Sequence, residues 1–234
     1  MRKIIKYIFV LLLLCGIGFG VYVGDYYHAS ESANLILNEV QDTVEIIEKE
    51  ETIVFMPDEP MAGFIFYPGG KVETQAYAPL MKELAKQGVL CVLVHMPFHL
   101  AVLDMNAADG IQDDYDIENW YIGGHSLGGA MAASYVANHL TEYEGLVLLA
   151  SYSTGEISNL NVLSIYGSED QVMNKEKYDE YRKNIPDVDE VVLEGGNHAG
   201  FGDYGHQKGD GVSTISNLKQ IQITSEYILK MIRG

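Results

Sequence analysis

Cysteine is almost missing from this chain: of 234 residues only Cys15 and Cys91 are cysteines. One lies in an apolar N-terminal run and the other in an apolar strand-like run, so no disulfide framework is available. Basic residues are scarce too, 15 Lys and Arg against 33 Asp and Glu. Arg2, Lys3 and Lys6 precede the first acid, Asp25, which leaves the remainder with 12 basic against 33 acidic residues, a formal −21. So negative a surface excludes nucleic acid as a partner and repels an anionic membrane face. Its simplest use is solubility. Internal repeats and low-complexity tracts are also lacking, which removes solenoids and biased tails from consideration.

Long hydrophobic runs are absent with one exception. Residues 7–23 are an unbroken apolar and glycine run behind the three basic residues, the form of a membrane-targeting segment. It reads either as a cleaved signal peptide or as a retained anchor. The run is longer than a usual signal core and no clear small-x-small cleavage site follows it, which favours the anchor. Cys15 follows Leu14, where a lipid-modified cysteine wants a small residue, so it reads as a thiol inside the span. Positive residues before the span place the N-terminus in the cytoplasm and the rest of the chain outside: a single-pass cell-membrane protein with an extracytoplasmic domain, secreted if the segment is cleaved. Residues 1–24 are then the anchor or signal segment and 25–39 a linker turning into a short helix. Residues 40–234 make one domain, long enough for a substantial core.

Within that domain, apolar runs at 43–48, 52–56, 63–67, 89–94, 119–122, 145–150, 162–166 and 190–193 read as strands. Several have no polar alternation, as strands covered on both faces do not. Helical patterns occupy 75–87, with Gly88 as a stop, then 127–139, 175–184 before Pro186, and 216–232. Hairpin-like spacing comes first and strand–helix alternation follows. The expected fold is α/β: a doubly wound, mostly parallel eight-stranded sheet with an antiparallel start, preceded by one transmembrane helix.

One stretch carries the chemistry. Trp120, Tyr121 and Ile122 feed Gly124-His125-Ser126-Leu127-Gly128, and a small-residue helix follows at once. Gly-x-Ser-x-Gly at a strand-to-helix turn is the form of a nucleophile elbow, in which the serine hydroxyl stands exposed at a helix N-terminus. A serine needs a base, and the base needs an orienting carboxylate. Asp170 follows the 162–166 strand after a short glycine turn and is the chosen acid, with Glu169 as its rival. His198 follows the 190–193 strand and is the chosen base, with His206 in the same glycine-rich loop as its rival. His125 is expected to point away from the site. An oxyanion hole would draw one N–H from Leu127 and one from Gly70 or Lys71, in the turn after Tyr67. The Lys71 side chain is open between an anionic substrate group and solvent. Only residues 151–161 separate two successive strands, too few for an inserted cap, so an open or lightly covered site is expected. Asp203 and Asp210 fit no cation-loop spacing.

Ser126, Asp170 and His198 stand in the order found in α/β-hydrolases. Over residues 40–233 the chain resembles that superfamily, and within it the small capless α/β-hydrolase fold-5 group, itself similar to dienelactone hydrolases. The likeness is carried by YPGGKVETQAYAPL, HMPFHLAVLD, GGHSLGG, YGSEDQV and EGGNHAGFGDYG. Dienelactone hydrolases use a cysteine where this chain has Ser126, so their substrate does not carry over. The resemblance implies a serine hydrolase of the carboxylesterase type, acting on a small ester or acyl substrate with no metal or organic cofactor. An acyltransferase on the same fold and a non-catalytic binding module are the alternatives. A complete Ser, Asp and His set argues against the module.

Overall fold

The computed structural model describes residues 2–38 and 43–234, so the expected linker-to-domain boundary at 39/40 lies outside the described residues. The strands are β1 (Val44–Glu48), β2 (Thr52–Pro57), β3 (Ala62–Tyr67), β4 (Val89–Val94), β5 (Trp120–His125), β6 (Gly145–Leu149), β7 (Asn161–Gly167) and β8 (Val188–Leu193). The helices are α1 (Arg2–Gly24), α2 (Glu31–Asn38), α3 (Ala78–Ala85), α4 (Leu127–Val136), α5 (Lys175–Tyr181) and α6 (Asn217–Arg233). All eight strands share one sheet in the order β1-β2-β4-β3-β5-β6-β7-β8. The β1–β2 and β2–β4 pairs are antiparallel and the others parallel. This is the expected α/β architecture, antiparallel start included.

The unbroken apolar runs have a direct cause. Every residue of β3, β4, β5 and β6 is buried, because helices cover both faces of a parallel sheet. Successive residues of β3 go to opposite sides: Phe64 and Phe66 pack with Leu80, Leu84 and Ile228 of α3 and α6. Ile65 and Tyr67 pack with Ala132 and Val136 of α4. Each such side chain, fully buried, contributes roughly 1.5–3 kcal/mol. Strand β8, at the sheet edge, is correspondingly the most exposed of the C-terminal strands.

Helix ends differ from the sequence reading where local chemistry intervenes. The 75–87 pattern splits into a 3₁₀ turn, Thr74–Tyr77, and then α3, with Pro79 in its first turn where a missing N–H costs nothing. Past its end, Gly88 takes φ +89°. The 175–184 pattern likewise ends as a 3₁₀ turn, Arg182–Asn184. Ser216 caps α6 by accepting from Lys219 N at 3.2 Å.

Residues 4–24 of α1 form a 21-residue apolar span with a mean hydropathy of 2.4, about 32 Å long at 1.5 Å per residue. That is enough to cross a membrane, and a signal sequence would have the same form. The segment 25–30, expected as a linker, is fixed to the body: Tyr27 forms a β-bridge with Val72.

Candidate active site

Between β5 and α4 the chain turns at a single residue. Ser126 has φ 52° and ψ −121°, a left-handed conformation that a residue with a Cβ adopts only where its surroundings impose it. They do so through glycine. A Cβ on Gly124 would lie 2.6 Å from the Tyr67 carbonyl oxygen, and one on Gly128 would run into the Pro68 carbonyl. The Ser126 N–H donates to the Leu149 carbonyl at 2.9 Å, and its carbonyl accepts from Ser151 Oγ at 2.7 Å. Backbone and neighbours are thus committed, while the hydroxyl of half-buried Ser126 caps nothing.

Two loops at the same sheet edge bring the other expected residues together. Asp170 Oδ2 lies 2.8 Å from His198 Nδ1, with both side chains almost wholly buried. Oδ1 of the same carboxylate accepts from Val172 N at 2.9 Å and Met173 N at 2.8 Å. Burial alone would raise the Asp170 pKa. The hydrogen bond and charge of His198 and the two backbone donors outweigh it, and the carboxyl is held below the usual range. An ionised Asp170 accepts from the Nδ1–H of His198, which leaves Nε2 as the ring nitrogen able to exchange a proton with another group. That Nε2 is buried and, among the described residues, makes no hydrogen bond, to Ser126 or to any other group; such bonds often tighten only around a substrate. Of the rivals, Glu169 accepts from Ser168 Oγ at 3.0 Å, and His206 is exposed.

His125 departs from expectation. Instead of pointing away, its ring lies against that of His198, with centroids 4.6 Å apart. Its Nδ1 is 2.8 Å from the Tyr77 hydroxyl, which accepts from Gly69 N at 3.0 Å. Burial holds the His125 pKa well below its ordinary value, so the ring is neutral. The Tyr77 proton then goes to Nδ1 and the ring proton sits on Nε2. The direction of the residue before the serine is set by this tertiary contact, which no local pattern encodes.

A second feature invisible to the sequence reading is Asp210. Its carboxylate accepts from His198 N and Gln171 N at 3.3 Å and from Ala199 N and Gly211 N at 2.8 Å, tying the Asp170 loop to the His198 loop. Gln220 on α6 clamps Asn197 from both sides, accepting from its N–H at 3.1 Å and donating to its carbonyl at 2.8 Å.

In the loop after β3, Gly70 is pressed on the elbow: a Cβ there would sit 2.9 Å from Leu127 Cδ2. The two expected donors in this loop are not equivalent. The Lys71 amide is taken by the His99 carbonyl at 2.8 Å, which leaves Gly70 as the candidate donor of the two. The Lys71 side chain turns to Asp25, 3.2 Å away. The short β6–β7 connection contains no helix or strand, yet His198 is only 1% exposed, a tighter cover than the absence of a cap suggested. Among the described residues no cluster of three or more possible metal ligands occurs. A groove of about 800 Å³ on β7, β8 and α6, lined by Val188, Glu190 and Tyr227, holds none of these residues.

A model of the "Alpha/beta hydrolase family" matches residues 63–222, from β3 into α6. No curated protein matches the chain. Among solved structures, Est1E from Butyrivibrio proteoclasticus bound to ferulic acid is 14% identical, with a TM-score of 0.59, covering 81% of this chain and 100% of that one. TT1662 from Thermus thermophilus is 11% identical at a TM-score of 0.59, over 82% and 99% of the two chains. A protein described as a membrane phospholipase A and bacterial virulence factor is 11% identical at a TM-score of 0.57, over 98% and 99%. At such identities the likeness is one of fold.

Proposed function

The chain belongs to the alpha/beta hydrolase family, and we propose that within it this is a membrane-anchored serine hydrolase that cleaves carboxylic esters through an acyl-enzyme on Ser126. The observation that carries the reading is the buried Asp170–His198 pair, 2.8 Å apart, whose free Nε2 is at the sheet edge where the strained turn presents the Ser126 hydroxyl. In the first step Ser126 Oγ attacks the ester carbonyl and its proton passes to His198 Nε2. Asp170 holds the ring in the tautomer that can accept it and stabilises the imidazolium. The proton then goes to the departing alcohol. In the second step His198 takes a proton from water, the hydroxide formed attacks the acyl carbon, and His198 returns that proton to Ser126 Oγ as the acid departs. A positioned base contributes about 10²–10⁴-fold. The amides of Gly70 and Leu127 would meet the tetrahedral oxyanion, each worth about 10²–10³-fold. The ferulic acid held by Est1E supports a small carboxylic ester as substrate.

The same proposal makes α1 a retained span, with the basic residues of its first turns on the cytoplasmic side and the hydrolase domain outside. A fluorophosphonate should label the full-length protein and leave Ser126→Ala unlabelled, with turnover of a short-chain aryl ester lowered by at least about 10³-fold in the variant. A parent chain that neither labels nor turns over such an ester would overturn the reading.

A further inference from the structure

The span and the catalytic edge are bolted together. Tyr27 N donates to the Lys71 carbonyl at 2.7 Å, Glu73 N donates to the Tyr27 carbonyl at 2.9 Å, and Ser30 N donates to the Asp203 carbonyl at 2.8 Å. These bonds join residues 25–30 to the loops that carry Gly70 and His198. At the end of α1, Lys71 Nζ lies 4.5 Å over the Tyr22 ring and 3.2 Å from the Asp25 carboxylate. The end of α1 therefore packs on the residue next to the candidate oxyanion donor, and a bilayer around α1 would lie beside the site.

The loop after β4 then reaches along the span. Phe98 packs edge-on against Phe19 with ring centroids 5.6 Å apart. Phe19 lies five residues before Gly24, roughly 7.5 Å along a helix, which puts Phe98 level with the interfacial part of the span. Phe98, Val102 and Leu103 are 56%, 57% and 51% exposed. Phe98 and His99 hold φ 53° and 58°, two consecutive left-handed residues that keep the aromatic ring out of the core. This apolar surface continues that of α1. On a domain whose charge repels anionic surfaces, apolar burial rather than charge would seat it.

We infer that the Phe98–Leu103 surface is embedded in the leaflet next to the domain, and that the hydrolase draws its substrate, an acyl lipid, from that leaflet. The lipid part rests on Ser126 being the nucleophile; the embedded surface does not. The test uses the full-length chain in phosphatidylcholine vesicles, with or without bromine on the acyl chains near the headgroup. A Phe98→Trp variant should be quenched by the brominated lipid. A Met61→Trp variant, on the opposite edge of the sheet, should not. Equal Phe98→Trp fluorescence in both vesicles, as a second copy of the chain covering this face would give, overturns the embedded surface. In the same vesicles the parent should release fatty acid. The Phe98→Asn/Val102→Ser/Leu103→Ser variant should lower the ratio of lipid to dissolved-ester turnover by about tenfold, as lost apolar contact predicts. Turnover of dissolved ester without fatty-acid release overturns the lipid substrate and spares the esterase. Failure with both substrates overturns the nucleophile assignment, while the quenching result still decides the surface.

Discussion

The Tyr77 hydroxyl does two jobs with one oxygen: it accepts the Gly69 N–H and donates to His125 Nδ1, at 3.0 and 2.8 Å. Burial raises its pKa, so the proton that reaches His125 stays in place over the working pH range. His125 in turn backs the His198 ring, and the proposed oxyanion loop and the proposed base therefore share a support that contains no reacting atom. Removing the oxygen in Tyr77→Phe leaves a buried amide and a buried ring nitrogen without partners, at about 1–3 kcal/mol each. The expected kinetic signature is a kcat lowered by about 10–100-fold with KM changed little, since the loss falls on groups that act in the transition state. Steady-state kinetics on a dissolved aryl ester, with near-ultraviolet circular dichroism to show intact packing, checks this. A fall confined to stability, with kcat retained in the folded fraction, would reduce Tyr77 to a structural residue.

Among the elements, the loop between β8 and α6 is ordered less by regular structure than by Asp210, whose carboxylate takes four backbone N–H groups from two loops. Asp210→Asn keeps the shape but removes the charge and one acceptor, and hydrogen bonds to a charged group are worth about 1.5–3 kcal/mol. Amide exchange should accelerate at residues 197–200 while β3 to β6 keep their protection, with ester turnover falling at least about tenfold as His198 loses its register. Acceleration throughout the sheet would make Asp210 a general stabiliser instead. This carboxylate also marks where reading a sequence ends. Strands β3 to β6 were legible because two-sided burial demands unbroken apolar runs, and the Ser126 turn because two close backbone contacts demand glycine at 124 and 128. Asp170 and His198 could be chosen because each stands in the short glycine-containing turn after a strand. Asp210 binds amides up to 39 residues away, and the inward face of His125 depends on Tyr77, 48 residues earlier. Neither distance leaves a periodic or spacing signal. The turns of residues 95–119 are likewise held from a distance, by the Tyr67 hydroxyl of β3 at Met105 and Ala108 and by Tyr135 of α4 at Asp109, and there the apolar pattern announced no element.

For the molecule as a whole, the asymmetry of charge and the attachment of α1 bear on one question, the side of the membrane on which the domain lies. Arg2, Lys3 and Lys6 precede the unbroken apolar run of residues 7–23, and no Lys or Arg follows it before Lys49, the bias that retains an N-terminus in the cytoplasm and exports the rest. The two native thiols suit a labelling test of this. Cys15 lies within the apolar span, out of reach of an aqueous reagent when the span is in a bilayer, and Cys91 is buried, with burial raising its pKa, so it presents no thiolate to water. Lys177, exposed in the first turn of α5, offers a site where a new thiol disturbs no side-chain contact described above. In intact expressing cells, Lys177→Cys should react with a membrane-impermeant maleimide while the parent does not. The labelled chain should sediment with membranes at its full-length mass, as a retained 21-residue apolar span requires. Labelling that requires permeabilised cells would place the domain in the cytoplasm. Labelled protein free in the medium and shortened by the span would make α1 a signal sequence, and the site would then meet its ester in water instead of in a leaflet.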